Sequence, residues 1–235
     1  MASKPVHQQV DAIQKARGFW LNYSRPIIYI GSAVIIVLAG WLVYKYMVKL
    51  PKEDKANDAV YVTQKYFSEF STAPSDSIRA NLAAKCLNGD ARNEGALKII
   101  NKYSGTDAAN LCEFYAGACY LHLHQYEKAI KYLKDFDADG ATQIKSRAYG
   151  MIGDASAELN KNDDALEYYK KAANVDTKDE YTSSEFLFRA ALFAQSTGNT
   201  KEAVELFKKI KDDYPRSEKA ADVDRYLAKL GEFSE

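Results

Sequence analysis

The chain has 235 residues, 47% of them hydrophobic, enough for one domain with a buried core plus appendages. Its formal net charge is zero but unevenly spread: four basic residues stand against Asp11 before residue 27, Lys45 and Lys49 follow without an acid, and residues 51–235 therefore carry a net −5. A mildly acidic main region lacks the electrostatic footprint for nucleic acid, so no nucleic-acid partner is expected.

The basic tail, 1–26, places Val6, Val10, Ile13 and Trp20 on one helical stripe, with Gln8, Asp11 and Lys15 off it. That suits a short helix on an anionic membrane surface or, equally, a disordered tail. Ile27 to Tyr44, IIYIGSAVIIVLAGWLVY, is uncharged and continues through Tyr46 and Val48 around Lys45. A helix of this length measures about 27–33 Å, a bilayer's hydrocarbon thickness. Lys45 can snorkel from the last turn. Trp20 and Tyr23 on one side, with Trp41, Tyr44 and Tyr46 on the other, form aromatic belts. A cleaved signal peptide fits poorly, because the apolar run is too long, begins too late and leads into KLPKED. Residues 27–48 are therefore expected to be an uncleaved transmembrane helix, followed by a linker at 49–57. Four basic residues precede the span and four (Lys45, Lys49, Lys52, Lys55) lie at or after its end, so charge alone leaves the orientation open.

Residues 58–235 read as helical hairpins. Asp58–Ser71 is expected as a leading helix, with Ala59, Val62, Tyr66, Phe67 and Phe70 on one face. A poorer unit follows, with Ala96, Leu97 and Ile100 in its second helix. Then a pattern recurs: Gly117, Tyr120, Ala129 and Leu133, next Gly153, Ser156, Ala165 and Tyr169, finally Ala191, Ala194, Ala203 and Phe207. The offsets are 36 and 38 residues. A small residue in the first helix and Ala in the second let the pair approach closely, and the large residue four positions on fills the gap to the next hairpin. HLHQYE, LNKNDD and STGNTK form the turns, with Asn160 and Gly198 suited to helix C-termini. Pro215 stops a helix, and Asp222–Leu230 would cap the array. Cys86, Cys112 and Cys119 fall inside helices as small core residues; Cys112 and Cys119 are about 10 Å apart along one face, beyond disulfide reach. The expected fold class is all-α: one N-terminal transmembrane helix and an α-solenoid of about four hairpins.

These repeats resemble the tetratricopeptide family over at least residues 108–217. The order of basic tail, span, PKEDKANDAVY, APSDSIRANLAAKCLNGD, a helix ending KYSGTDAAN and well-formed repeats is similar to membrane-anchored periplasmic tetratricopeptide proteins of Bacteroidota-type bacteria. Those in turn resemble the ancillary Sec translocon subunit that pairs with a membrane-anchored prolyl isomerase. The resemblance implies a chaperone-like or accessory role in Sec-dependent translocation and envelope protein biogenesis. It also implies a bacterial inner-membrane location, with the N-terminus cytoplasmic and the C-terminal domain periplasmic. The Sec translocon, the isomerase or nascent envelope proteins would be partners; a docking subunit of another envelope machine is the alternative.

Signatures of zinc proteases, serine hydrolases, P-loops and dinucleotide folds are absent. Cys119 and His122 could share a helical face, but two ligands without a third make no metal site. Asp176–Glu185 lacks the alternating acids and glycine of a calcium loop. A binding scaffold is expected, with no cofactor, no small-molecule substrate and no catalysis. Its groove would gather first-helix residues: Phe114, Leu121 and His122, then Arg147, Asp154 and Glu158, then Phe188, Leu192 and Gln195. For the large apolar members, packing between hairpins is the competing role. The basic cluster that clamps a C-terminal carboxylate is missing from these positions, which suits an extended peptide or partner helix better.

Overall fold

The computed structural model describes residues 6–138 and 140–232, except for the side chains of 6–13, 15, 16 and 27. The stripe of Val6, Val10 and Ile13 and the last three residues of the chain lie outside that description. Among the described residues there is no β-strand, only an isolated bridge between Gly89 and Glu94. The elements are α1 (Val6–Tyr44), a π-helical turn (Lys45–Lys49), α2 (Leu50–Thr72), α3 (Asp76–Asn88), α4 (Ala96–Lys102), α5 (Asp107–His122), α6 (Tyr126–Asp135), α7 (Thr142–Glu158), α8 (Asn162–Ala173), α9 (Glu180–Ser196), α10 (Thr200–Asp213) and α11 (Glu218–Lys229). Contacts divide the chain into two compact units, Met1–Lys52 and Glu53–Glu235.

The helical stretch from Ile28 onward contains an 18-residue window of mean hydropathy 1.8 with none of it buried. Among the described residues it is the one helix long and apolar enough to cross a membrane. Lys45 lies 5.2 Å from the Trp41 ring and 5.9 Å from that of Tyr46, so cation–π contacts hold its ammonium at the end of the apolar run. The π-helical turn ends at Lys49, two residues before Pro51, whose ring nitrogen has no proton to return to the preceding turn. The stretch 49–57, expected as a linker, is helical throughout.

In the second unit, α5/α6, α7/α8 and α9/α10 are the three strong hairpins, with α3/α4 a shorter fourth. The leading helix α2 joins the core of α3, α4 and α5 through Ala56, Val60 and Phe70, packed among Ala83, Cys86, Cys112 and Tyr115. The Glu53 carboxylate accepts from the backbone N–H groups of Asp107 (3.0 Å) and Ala108 (3.3 Å), so a residue of α2 places its negative charge at the N-terminus of α5. Side-chain caps start five helices, α5 among them: Ser75, Thr106, Asp179, Asn199 and Ser217 each accept from a backbone N–H three residues on. Ser217 explains why the capping helix α11 begins at Glu218, four residues before the expected start.

The three hairpin turns repeat one device. His124, Asn160 and Gly198 adopt φ of 55°, 56° and 79°, the left-handed conformation that ends a helix. Each is followed by an N–H bonded back to a carbonyl five residues earlier: Gln125 to Tyr120, Lys161 to Ser156 and Asn199 to Ala194, all within 2.8–2.9 Å. Ala129, Ala165 and Ala203 have no solvent exposure at the hairpin contacts. Leu133, Tyr169 and Phe207 each join their own hairpin to the next element. Leu133 clusters with Ala148 and Ile152 of α7, the Tyr169 ring lies 5.7 Å from Phe193 of α9, and Phe207 stacks 5.3 Å from Tyr226 of α11.

Candidate functional site

A helical stripe is made by residues three and four apart. On α7 this brings Arg147, Met151, Asp154 and Glu158 into one row; on α5 it aligns Phe114, Ala118, Leu121 and His122. These rows, with parts of α2, α3 and α9, border two neighbouring depressions. The first, about 460 Å³, has an apolar floor of Phe67, Phe70, Phe114 and Met151, with Arg147, Phe186 and Arg189 along one side. The second, about 540 Å³, is bordered by Leu121, His122, Asp154 and Glu158 together with Tyr126 and His124. Arg79 of α3 lines both.

Aromatic packing fixes the floor. Phe67 stacks on Tyr115 at 4.3 Å between ring centroids and meets Phe114 edge-on at 6.0 Å, while Phe70 meets the His122 ring edge-on at 5.4 Å. Phe114 also touches Phe136, at 5.4 Å. Such rings have little freedom to rearrange, so the floor is preformed.

Most charges along the strip are committed to one another. Asp154 forms an ion pair with Arg189 of α9 and accepts a hydrogen bond of 2.8 Å from the Tyr169 hydroxyl. The Arg189 guanidinium lies over the Tyr169 and Phe186 rings, at 5.3 and 5.5 Å. Burial first, and the Asp154 charge second, push the Tyr169 phenol above its ordinary range. Arg79 pairs with Asp76 at 2.9 Å and donates to the Ala73 carbonyl. Glu158 accepts from the Tyr126 hydroxyl at 3.2 Å, and that hydroxyl lies 2.8 Å from His124 Nδ1. Arg147 is exposed and has no ion pair or hydrogen bond among the described residues.

Six of the nine residues expected in the groove thus border the two depressions: Phe114 and Arg147 the first, Leu121, His122, Asp154 and Glu158 the second. Phe188 does not. It is 7% exposed and packs edge-on against Phe207 at 5.7 Å and Tyr226 at 5.1 Å, inside the core of α9, α10 and α11. Leu192 is half-buried against that same core, and Gln195, also half-buried, borders neither depression. Phe67, Phe70, Met151, Phe186 and Arg189 are the members that sequence reasoning missed. The repeat offset of 38 residues pairs Phe188 with Gly150, and the structure buries both.

All three cysteines are fully buried free thiols, so Cys119 is withdrawn from its helical neighbour His122 at the edge of the depression. Among the described residues no group of three His, Cys, Asp or Glu side chains is placed to hold a metal ion. The arrangement offers apolar contact, aromatic faces and fixed charges of both signs, which is chemistry for holding a peptide segment.

The chain matches the model of a known family. The model for "T7SS, ESX-1 secretion system protein EccA1, N-terminal domain" covers residues 52–224, from the first turn of α2 into α11. No curated protein matches the chain.

Proposed function

Because the chain belongs to the EccA1 N-terminal domain family of secretion-system proteins, we propose that it is a membrane-tethered docking scaffold of a protein-export machine, working without catalysis of its own. The observation that carries this reading is the strip itself. α2, α5, α7 and α9, from successive layers of the repeat array, converge on one preformed aromatic floor flanked by charge. Repeat arrays present such composite surfaces to extended or helical partners. The apolar helix would tether the array at the bacterial inner membrane, with the N-terminus cytoplasmic and the repeats in the periplasm.

Within that reading two places are open. The order of anchor and repeats supports an accessory or chaperone-like role beside the Sec translocon, with the anchored prolyl isomerase or nascent envelope proteins as partners. The family match favours a docking subunit of a dedicated secretion machine. A photo-crosslinking amino acid at Met151, on the floor of the strip, separates them in native membranes. Crosslinks to a secretion-machine component or its cargo are expected. Crosslinks to translocon subunits would move the protein to Sec, and none to any export component or cargo would overturn the docking role.

A further inference from the structure

Among the described residues, two opposite charges on the strip have no ionic partner. Arg147 stands at the first turns of α7, beside the aromatic floor, and Glu158 closes the same helix. Every other strong charge bordering the two depressions is neutralised locally: Arg79 by Asp76 and Arg189 by Asp154. The acids beside Arg147 are turned to other groups: Glu185 pairs with Lys219 at 2.8 Å, and Asp179, like Glu158 without a cation among the described residues, accepts from the Thr182 backbone N–H and hydroxyl. Glu158 has only the Tyr126 hydroxyl, and no cation among the described residues.

The strip therefore has polarity: a cation without an ionic partner among the described residues at one end, a carboxylate without one at the other, and between them the aromatic floor and the closed Asp154–Arg189 ion pair. Eleven residues of α7 separate the two, about 16 Å along the helix axis. An extended segment of about six residues spans that distance at roughly 3.3 Å each. We propose that the strip takes an extended segment with apolar side chains bracketed by an acidic residue seated at Arg147 and a basic residue seated at Glu158. The inference rests on the docking reading above and specifies the partner's chemistry. Apolar contacts with Phe67, Phe114 and Met151 supply adhesion, and the end charges set which way the segment lies.

The test uses the full chain in detergent and three fluorescein-labelled peptides with blocked termini: Glu-Leu-Phe-Leu-Phe-Lys, its Glu/Glu form and its Lys/Lys form. Binding is read by fluorescence anisotropy at low salt. The unaltered protein prefers the Glu/Lys peptide by about threefold to fivefold over either like-charged form, the range for exposed charge pairs. Arg147→Glu shifts the preference to Lys/Lys, and Glu158→Lys shifts it to Glu/Glu. The double variant returns to the Glu/Lys peptide, bound in the opposite sense. If a charge reversal unfolds the chain, Arg147→Gln and Glu158→Gln replace it, and each removes discrimination at its own end only. The same order of affinity in all forms, or no measurable binding of any peptide, overturns the proposal. An export partner crosslinked at Met151 alongside unchanged peptide preferences sinks the charge-order inference alone. A complete charge cycle with no export partner crosslinked removes the export role alone.

Discussion

A β-carbon on Gly117 of α5 would lie 2.4 Å from Leu133 Cγ of α6. Gly153 and the Tyr169 ring repeat this relationship one hairpin later, at 2.7 Å. The third hairpin has Ala191 at that position, buried in the same core cluster as Phe207. Hairpin closure is thus set by absent side-chain volume, and the residue filling that space also reaches the next hairpin.

Gly117→Ala is accordingly destabilising, although alanine favours helices by about 1 kcal/mol over glycine. The clash falls on the branch atom of Leu133, not on the end of a flexible chain, so α5 and α6 must move apart at a cost of roughly 1–3 kcal/mol. The prediction is a net loss of stability in chemical denaturation. Ala165→Leu, at a position with no exposure, is expected to lose stability by the same mechanism. Unchanged midpoints for both would refute the hairpin register.

Asp154 is the electrostatic joint between α7 and α9. Asp154→Ala leaves the Arg189 guanidinium and the Tyr169 hydroxyl without their shared acceptor, and a loss of about 1–3 kcal/mol is expected. Arg189→Met, which keeps an apolar stem beside Phe186, is expected to cost less than removing the acid. A double-mutant cycle between the two positions measures the coupling, and additivity would show that the pair contributes nothing.

Phe188→Ala tests the boundary between core and groove. With Phe207 and Tyr226 packed edge-on against its ring, truncation should cost about 3–5 kcal/mol. Phe114→Ala, at a half-buried position on the floor, is expected to cost less and to weaken peptide binding. The reverse order in thermal melts would return Phe188 to the surface.

The contrast shows what was legible in the sequence. Closure of the hairpins was readable because it depends on residues of fixed size at fixed spacing: Gly117 with Leu133, and Gly153 with Tyr169. His124, Asn160 and Gly198 share one backbone conformation with three different side chains, so glycine and asparagine announced the turn while histidine did not. The strip was half readable. Arg147, Asp154 and Glu158 follow from the periodicity of α7 alone. Arg189 matters only through Asp154, 35 residues earlier, and Phe67 only through the packing of α2 against α5. Those are tertiary facts with no local signature. α9 is buried on several sides, so its apolar residues do not reveal which one faces the groove.

Glu113 gives a pH dependence. Burial, then the nearby Asp135 charge, push its carboxyl above the ordinary glutamate range, against a smaller opposing effect of Lys131. Its Oε2 is buried without a hydrogen-bond partner. The folded state therefore holds this proton at pH values where the unfolded chain has released it. Stability falls as pH rises from the ordinary glutamate value through the raised one, and the penalty persists above it. Asp90 and Glu94, whose carboxyls are held below their ordinary values, act with the opposite sign, so the useful quantity is the difference between variant and parent. Glu113→Gln should melt higher than the parent near neutral pH, and the gap should shrink toward pH 4. A gap independent of pH would remove Glu113 from the account.

The final prediction concerns which side of the membrane carries the repeats, and the buried thiols make it measurable. Cys86, Cys112 and Cys119 have no solvent exposure. Burial, with Cys86 and Glu113 nearby, pushes the Cys112 thiol up to about 12, and a hydrogen bond with Cys86 followed by burial raises Cys119. Only the thiolate attacks a maleimide, so the native chain should stay unlabelled until it unfolds. A cysteine in place of the exposed Asp54 then provides a single reactive thiol close to the apolar helix. Membrane-impermeant maleimide applied to intact spheroplasts is expected to label Asp54→Cys and leave the parent untouched. Labelling of the variant only after lysis would put the repeats in the cytoplasm and reverse the proposed topology. Equal labelling of parent and variant would show instead that the native thiols are accessible, and the packing assigned to α3 and α5 would have to be redrawn.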